Sequence, residues 1–347
     1  MSAGNPISHS ARRRSVSMID VARMAGVSHQ TVSRVLNNPE KVREKTRRAV
    51  EDAIAKTGYR RNENARVLKS GVPSTLGILV PSASQYGPTE ILWSIERAAA
   101  DAGYSTKLSL LSGRSESAVN EAIDRLLAND VALIFICAAE SWVEPAVRVS
   151  VDLPIIDIGC TESSIPGVST VDIDQPEGVR AMMRHLRDEG ATRIDHIAGP
   201  EGWYSADARL TGWREAQADF ALIAGHLYRG DWSEESGYRA GNLIAQDLPS
   251  AVFAGNDQMA LGLIRALHEH GIRVPEDVRV AGYDNIAVGE YTIPSLTTVD
   301  QDFEELGRIA VRQAVAVLNG EGSHSVLTHP RLVIRESSTR RAVDAGE

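Results

Sequence analysis

The stretch Val21–Asn37, VARMAGVSHQTVSRVLN, joins two short apolar-periodic segments across Ala25-Gly26. Within MIDVARMA (18–25), Ile19, Ala22 and Ala25 keep helical spacing, and Gly26 then permits a tight turn. Ser28 offers its hydroxyl as an N-cap for the next helix, within reach of the N–H groups of His29–Thr31. Val32, Val35 and Leu36 fall at i, i+3, i+4 and predict a buried stripe. Gln30, Ser33 and Arg34 take another face, with His29 beside them. A helix face made of hydrogen-bonding side chains suits base edges in a DNA major groove. The spacing predicts a third amphipathic helix over Glu44–Lys56, EKTRRAVEDAIAK, closing on Thr57-Gly58.

Charge supports a polyanion at this end. The chain of 347 residues has a formal net charge of −9. Residues 1–72 hold 15 Lys and Arg against 6 Asp and Glu, a net of +9, which leaves 22 against 40 and a net of −18. An acidic body with a basic head is the pattern of a chain that presents one end to nucleic acid. With 43% hydrophobic and 24% charged residues, the composition is that of a globular protein, and its length predicts two or three domains. No apolar run reaches the roughly 18 residues that span a bilayer; Val131–Ala139 is the longest. The N-terminal MSAGNPISHSARRRSVSMID has basic residues but no apolar segment behind them, so no export signal and no membrane partner are expected. Cys137 and Cys160 stand in unrelated contexts without ligand spacing. They read as reduced core cysteines of a cytoplasmic protein, with no metal and no cofactor expected.

Beyond Ser70-Gly71-Val72-Pro73 the periodicity changes. Strand-like runs at 76–81, 106–111, 131–138 and 153–159 alternate with helical patterns at 88–102 and 116–129. A second series begins near Val171. Helices are predicted at 176–189, 206–223, 234–246 and 257–270, and strands at 193–199, 226–230, 250–255 and 278–283. This alternation predicts parallel α/β sheets in two lobes, with a ligand cleft beyond the carboxyl ends of the strands. Asn256-Asp257, Tyr283-Asp284, Ser205, Arg209 and Trp232 sit at such ends. Planar polar side chains with an aromatic face describe sugar-type recognition.

VARMAGVSHQTVSRVLN, followed by TGYRRNENARVLKS, closely resembles the headpiece of the lac repressor family of bacterial transcription regulators. Further on, AGPEGWYSADARLTGW, GDWSEESGY, VFAGNDQMALGLIRAL, VAGYDN and PSLTTVDQDFEELG resemble the family's effector-binding core. The resemblance implies an all-α helix-turn-helix headpiece joined to a two-lobed α/β core of the periplasmic-binding-protein type I fold, with parallel sheets. The implied segments are a disordered tail (1–16), the headpiece (17–61), a hinge helix and linker (62–72) and the core (73–347). Within the core, one lobe takes about 74–170 and 302–328, the other about 171–300 and 329–340.

Residue by residue, the resemblance places operator choice on His29, Gln30 and Arg34. Gln30 suits adenine and Arg34 suits guanine, while Thr31 and Ser33 suit phosphates. Ser28, Asn37, Asn62 and Ala65 complete the implied DNA-contacting set, and Leu68 falls on the family's intercalating leucine. Asn62–Lys69 matches the hinge helix, too short to be stable alone; Arg61 stands where the family usually has Pro. The implied effector contacts are Ser205, Arg209, Trp232, Asn256, Asp284, Gln301 and Phe303, with Tyr86, Pro88 and Ile91 from the first lobe. A galactoside-like sugar is the implied effector. Cys137 and Gly159 stand where polar residues are expected on that lobe, and Arg114 is displaced by one position.

The expected partners are a pseudo-palindromic double-stranded operator, a small sugar and a second copy of the chain. After IRESSTRRAVDAGE no heptad repeat follows, so a dimer is expected. A sugar-binding protein without a regulatory role would share the body but not the basic head. An enzyme would want a phosphate loop or a nucleophile elbow, and neither G-x-x-x-x-G-K-[ST] nor G-x-S-x-G is present. His268 and His270, at i, i+2 on one helix, point apart. A regulator that takes a corepressor other than a galactoside remains a second reading.

Overall fold

Ser17 opens the first helix, α1 (Met18–Ala25), with a capping box: its hydroxyl accepts from the Asp20 N–H, and Asp20 accepts from the Ser17 N–H at 2.9 Å. Gly26, at φ +65°, closes it in the left-handed conformation that costs glycine least. The computed structural model describes residues 17–37, 41–57, 74–80, 85–137, 139–147, 153–161, 163, 167–322 and 324–339. The chain divides into two units, Met1–Val72 and Pro73–Glu347.

In the first unit, α2 (His29–Asn37) and α3 (Glu44–Thr57) follow α1. Val21, Ala22, Val32, Val35, Val50 and Ala53 form the core, with Leu36 half-buried against it. Ile19, which keeps helical spacing with Ala22 and Ala25, is exposed. Met18, Val21, Ala22 and Ala25 face the core instead, which is the i, i+3, i+4, i+7 set one position earlier. The expected tail (1–16), the hinge helix and linker (62–72) and the implied DNA contacts Asn62, Ala65 and Leu68 lie outside the described residues.

The second unit holds two sheets. In the first lobe β1 (Thr75–Val80), β2 (Ser105–Leu110), β3 (Leu133–Ile136), β4 (Ile155–Ile158), β5 (Ser169–Ile173) and a late strand, β11 (Ser325–Thr328), run in parallel, in the order β11-β5-β4-β3-β1-β2. Helix α4 (Tyr86–Asp101) covers one face together with α11 (Phe303–Leu318). Helix α5 (Glu116–Leu127) and the single turn α6 (Val143–Ala146) cover the other. A Cβ on Gly307 would stand 2.5 Å from the Ser94 backbone, so glycine sets how closely α11 lies on α4.

In the second lobe β6 (Ile194–Ala198), β7 (Leu227–Arg229), β8 (Ala251–Ala254) and β9 (Arg279–Ala281) form a parallel sheet, β7-β6-β8-β9. Helices α7 (Gln175–Asp188) and α8 (Tyr204–Asp219) pack on one face, α9 (Glu234–Ile244) and α10 (Asp257–Glu269) on the other. β10 (Thr298–Asp300) and β12 (Arg331–Val333) pair antiparallel.

Three expectations shift. Val171 was expected to begin the second lobe, but β5 pairs with β4 and β11 in the first sheet, so the boundary falls after Ile173. The helix expected from Pro88 begins at Tyr86, because proline is tolerated in a first turn whose N–H groups have no helical partner. The helix expected to run to Ile223 ends at Asp219, and Ala221 then adopts φ +52°. The remaining strands and helices differ from expectation by a few residues at their ends.

The chain crosses between the lobes three times, after β5, after β10 and between β11 and β12. Gln175 Nε2 donates to Gln301 Oε1 at 2.9 Å and ties the first two crossings together. Arg331 donates to Asp300 at 2.8 Å and joins the third.

Candidate functional site

Between the lobes lies a cavity of 660 Å³, within the range of about 300–1,000 Å³ usual for small-molecule sites. Its lining includes all ten expected effector contacts: Tyr86, Pro88, Ile91, Ser205, Arg209, Trp232, Asn256, Asp284, Gln301 and Phe303. They come from the starts of α4, α8, α10 and α11 and from the segments after β7, β9 and β10. Strand ends gather them because every strand of both sheets runs the same way in its sheet.

One side of the cavity is apolar. Tyr86 and Phe303 meet edge to face with centroids 6.1 Å apart, and Ile91 and Leu306 lie beside them. Trp203 and Trp232 meet similarly at 5.9 Å on the other lobe. Trp232 sits at φ +74°, and its ring lies so close over Gly199 that a Cβ there would stand 2.2 Å from it. Glycine at 199 therefore admits the ring.

The polar side is a connected network. Arg209 donates through Nε to Gln175 Oε1 at 2.9 Å and through Nη1 to the Gly255 carbonyl at 2.5 Å. Its guanidinium stacks 3.8 Å from the centre of the Tyr283 ring. Gln301 accepts from Gln175 and donates to Asp284 Oδ1 at 2.6 Å. Among the described residues, Arg209 Nη2 and Asp284 Oδ2 make no hydrogen bond within the protein. Burial pushes the Asp284 carboxyl up to about 6, against the opposing pull of Arg209 and of the Gln301 hydrogen bond. Tyr86 is pushed up to about 12, first by burial and then by nearby carboxylates led by Glu90.

Asn256 behaves differently. Its Oδ1 caps α10 by accepting from the Met259 N–H at 2.9 Å, and its Nδ2 donates to the Trp232 carbonyl at 3.0 Å and to Gln258. The side chain is committed to structure and contributes a wall. Cys137 and Gly159 also line the cavity. Arg114 does not: it is exposed, pairs with Glu140 at 2.9 Å and lies over the Trp142 ring.

Sequence reasoning missed Asp172, Asp174 and Gln175, which line the cavity from the end of β5 onward. No strand is predicted over STVDIDQ from the sequence, and Val171 onward is expected in the second lobe, so these side chains are not anticipated at the end of a first-lobe strand. Trp203, Tyr204 and Cys160 were also missed. Burial raises the Asp172 carboxyl, while the Ile173 N–H and Thr161 hydroxyl hydrogen bonds oppose it.

In the first unit, His29, Gln30 and Arg34 are exposed along α2, with Thr31 and Ser33 half-buried beside them. Ser28 caps the helix by accepting from the Thr31 N–H at 3.1 Å, and its hydroxyl lies 2.9 Å from that of Thr31. Asn37 is the last residue of α2. The exposed face thus carries an imidazole, a carboxamide and a guanidinium within two turns, a set able to bond base edges. Among the described residues, no helix is long and apolar enough to cross a membrane.

Two family models match the chain: bacterial regulatory proteins, lacI family, over residues 17–62, and the periplasmic binding protein-like domain over residues 183–338. The lactose operon repressor of Escherichia coli (strain K12) is 31% identical over 328 residues, covering 93% of this chain and 91% of that protein. The HTH-type transcriptional repressor PurR of Pasteurella multocida (strain Pm70) is 34% identical, covering 93% of this chain and 98% of that protein. Among solved structures, the lac repressor dimer bound to operator and the anti-inducer ONPF matches with a TM-score of 0.79 at 31% identity, covering 94% of this chain and 100% of that one. With its helix-turn-helix head and its two-lobed parallel α/β core, the chain belongs to the lacI family of bacterial regulatory proteins and is a transcriptional repressor of that family.

Proposed function

We propose that this repressor binds a pseudo-palindromic operator as a dimer and is controlled by a small sugar, galactoside-like, held between its lobes. The observation that carries the effector reading is the pair Arg209 and Asp284. Each is buried, pinned by neighbours and part of the cavity lining, yet Nη2 and Oδ2 are left without a hydrogen bond among the described residues. A donor and an acceptor beside one another match two neighbouring hydroxyls. The aromatic walls match the C–H faces of a sugar ring. A ligand touching both lobes favours their closed arrangement, and the three crossings carry that change towards the head. A coupling of about 1–3 kcal/mol is usual for such control.

On the DNA side, Gln30 and Arg34 read adenine and guanine edges, His29 reads beside them, and Ser28, Thr31, Ser33 and Asn37 position the helix on the backbone. An exposed apolar patch of Val288, Tyr291, Ile293 and Ile334 supports pairing with a second copy.

A second reading rests on Asp172 and Asp174. With Asp284 they give the lining three carboxylates against one arginine, a balance that favours a ligand rich in N–H donors, such as a purine base. The relative named PurR makes that class worth testing.

Calorimetric titration of the full chain with galactosides, other sugars and purine bases separates the two readings. Binding of a galactoside that weakens operator binding supports the first; tight binding of a purine alone sinks it.

A further inference from the structure

Beside the cavity, a second cluster has no part in the network described above. Glu144 on α6, Asp157 in β4 and Cys160 just beyond it each offer one ligand atom, and these atoms lie within 4.8 Å of one another. All three residues are buried, with Asp157 only 1% exposed. Asp157 Oδ2 is sealed from solvent and has no hydrogen-bond partner. The Cys160 thiol lies beside the Asp157 carboxyl. No lysine or arginine pairs with Asp157 among the described residues. A buried carboxylate oxygen without donor or counter-charge is costly and calls for a cation.

The rest of the cluster is built as a holder. The Ser163 hydroxyl donates to Glu144 Oε1 at 2.6 Å, and the Tyr204 hydroxyl donates to Glu144 Oε2 at 3.0 Å from the opposite lobe. Such outer partners orient a ligating carboxylate. A thiolate with two carboxylates suits a borderline-soft divalent ion better than calcium or magnesium, which take oxygen alone. Three protein ligands leave a fourth tetrahedral position for water.

We propose that Glu144, Asp157 and Cys160 form a binding site for a zinc-class divalent cation in the first lobe, at the seam where Tyr204 meets Glu144. Ligand atoms around tetrahedral zinc lie about 3.3–3.8 Å apart, given bonds of roughly 2.0–2.3 Å, so the cluster need draw in only slightly. Binding takes the Cys160 thiol to a thiolate and releases its proton to solvent. Any proton carried by the Asp157 carboxyl leaves to solvent in the same way. Cys160 also lines the effector cavity, which puts the ion beside the ligand.

The test uses the full chain, stripped with chelator and dialysed against zinc or cobalt(II) chloride. The expected result is one ion per chain by elemental analysis and a thiolate-to-cobalt charge-transfer band in the cobalt form. Cys160→Ser abolishes the band. Asp157→Asn weakens zinc binding by more than the roughly 10–100-fold that loss of an outer partner costs. Zinc raises the melting temperature of the unsubstituted chain and not that of Cys160→Ser. His329→Gln serves as control, because Asp174, Glu177 and His329 form a separate cluster in which Glu177 and His329 are exposed. The proposal is overturned if the unsubstituted chain retains no ion or shows no charge-transfer band. It is equally overturned if the ion is lost with His329→Gln and kept in Cys160→Ser.

Discussion

Arg209 Nη1 and Asp284 Oδ1 stand 3.6 Å apart, both buried, and yet they do not form a close ion pair. The guanidinium is drawn to the Gly255 carbonyl and to Gln175, while the carboxylate is held by Gln301 at 2.6 Å. Burial therefore outweighs attraction, and the Asp284 carboxyl titrates at about 6. Its folded value lies above its unfolded one, so the folded chain holds the extra proton. This group's contribution to stability is greatest at low pH and declines as pH rises from about 4 through 6. The proposed effector binding has the opposite sign, because Oδ2 is purely an acceptor for a hydroxyl only in the carboxylate. Affinity for a sugar is expected to rise across pH 6, and Asp284→Asn to weaken binding and flatten that rise. Calorimetry from pH 5 to 8 checks it, and an unchanged pH profile in Asp284→Asn contradicts the assignment.

Arg209→Ala removes the only cation of the cavity lining among the described residues and leaves Asp284 buried without it. Taking the guanidinium from beside a buried carboxyl and from its bonds to Gln175 and Gly255 is destabilising, and the stacking on Tyr283 is lost as well. The variant is expected to melt earlier, to bind operator below its melting temperature, and to ignore effector. Gel shifts with and without effector decide the point; a full response would place the recognition elsewhere.

Gly199→Ala tests the aromatic wall from behind. The added methyl would stand 2.2 Å from the Trp232 ring, so the ring must move towards the cavity. Overpacking of this kind costs about 1–3 kcal/mol of stability. The expected readout is a weaker effector affinity with unaltered operator selectivity. A normal affinity would mean that the ring does not shape the site.

The parts of this molecule that were legible in the sequence are those with a local physical signature. Gly26 and Ser28 mark a turn and a cap whatever lies around them, and both occupy those roles. Alternating strands and helices announced two parallel sheets. The assignment of β5 was not legible, because an all-buried strand such as STVDI carries no mark of which sheet it joins. Its placement depends on pairing with β4 and with β11, a strand about 150 residues later in the chain. Without that strand, Asp172 and Asp174 could not be recognised as side chains that line the cavity. The buried cluster of Glu144, Asp157 and Cys160 was unreadable for the same reason: β4 and α6 meet only in three dimensions. Ile19 misled because a weak apolar period can be read one position out of phase, and packing against α3 chose Val21.

Arg34→Ala probes the head. Arg34 is exposed on α2 and pairs with no acid among the described residues. Its loss is expected to cost about 1–3 kcal/mol at one base position and to relax selectivity there. Selection from a randomised duplex pool, repeated at two salt concentrations, reads this directly. A uniform loss across all sequences would make Arg34 a phosphate contact instead.

Ile293 is 94% exposed and Tyr291 78%, with Val288 and Ile334 close to half exposed near them. Apolar side chains so placed gain about 1.5–3 kcal/mol each when fully buried. A two-fold interface repeats every contact, so one substitution is felt twice. Ile293→Glu puts two carboxylates into such an interface and is expected to give monomers at concentrations where the unsubstituted chain sediments as a dimer. Operator affinity should fall with it, because one head alone holds one half-site. The effector should still bind, since Ile293 is not part of the cavity lining. An Ile293→Glu chain that remains dimeric would move the pairing surface to another face of the core, where Trp93, Leu108 and Leu110 are the next exposed apolar group to alter.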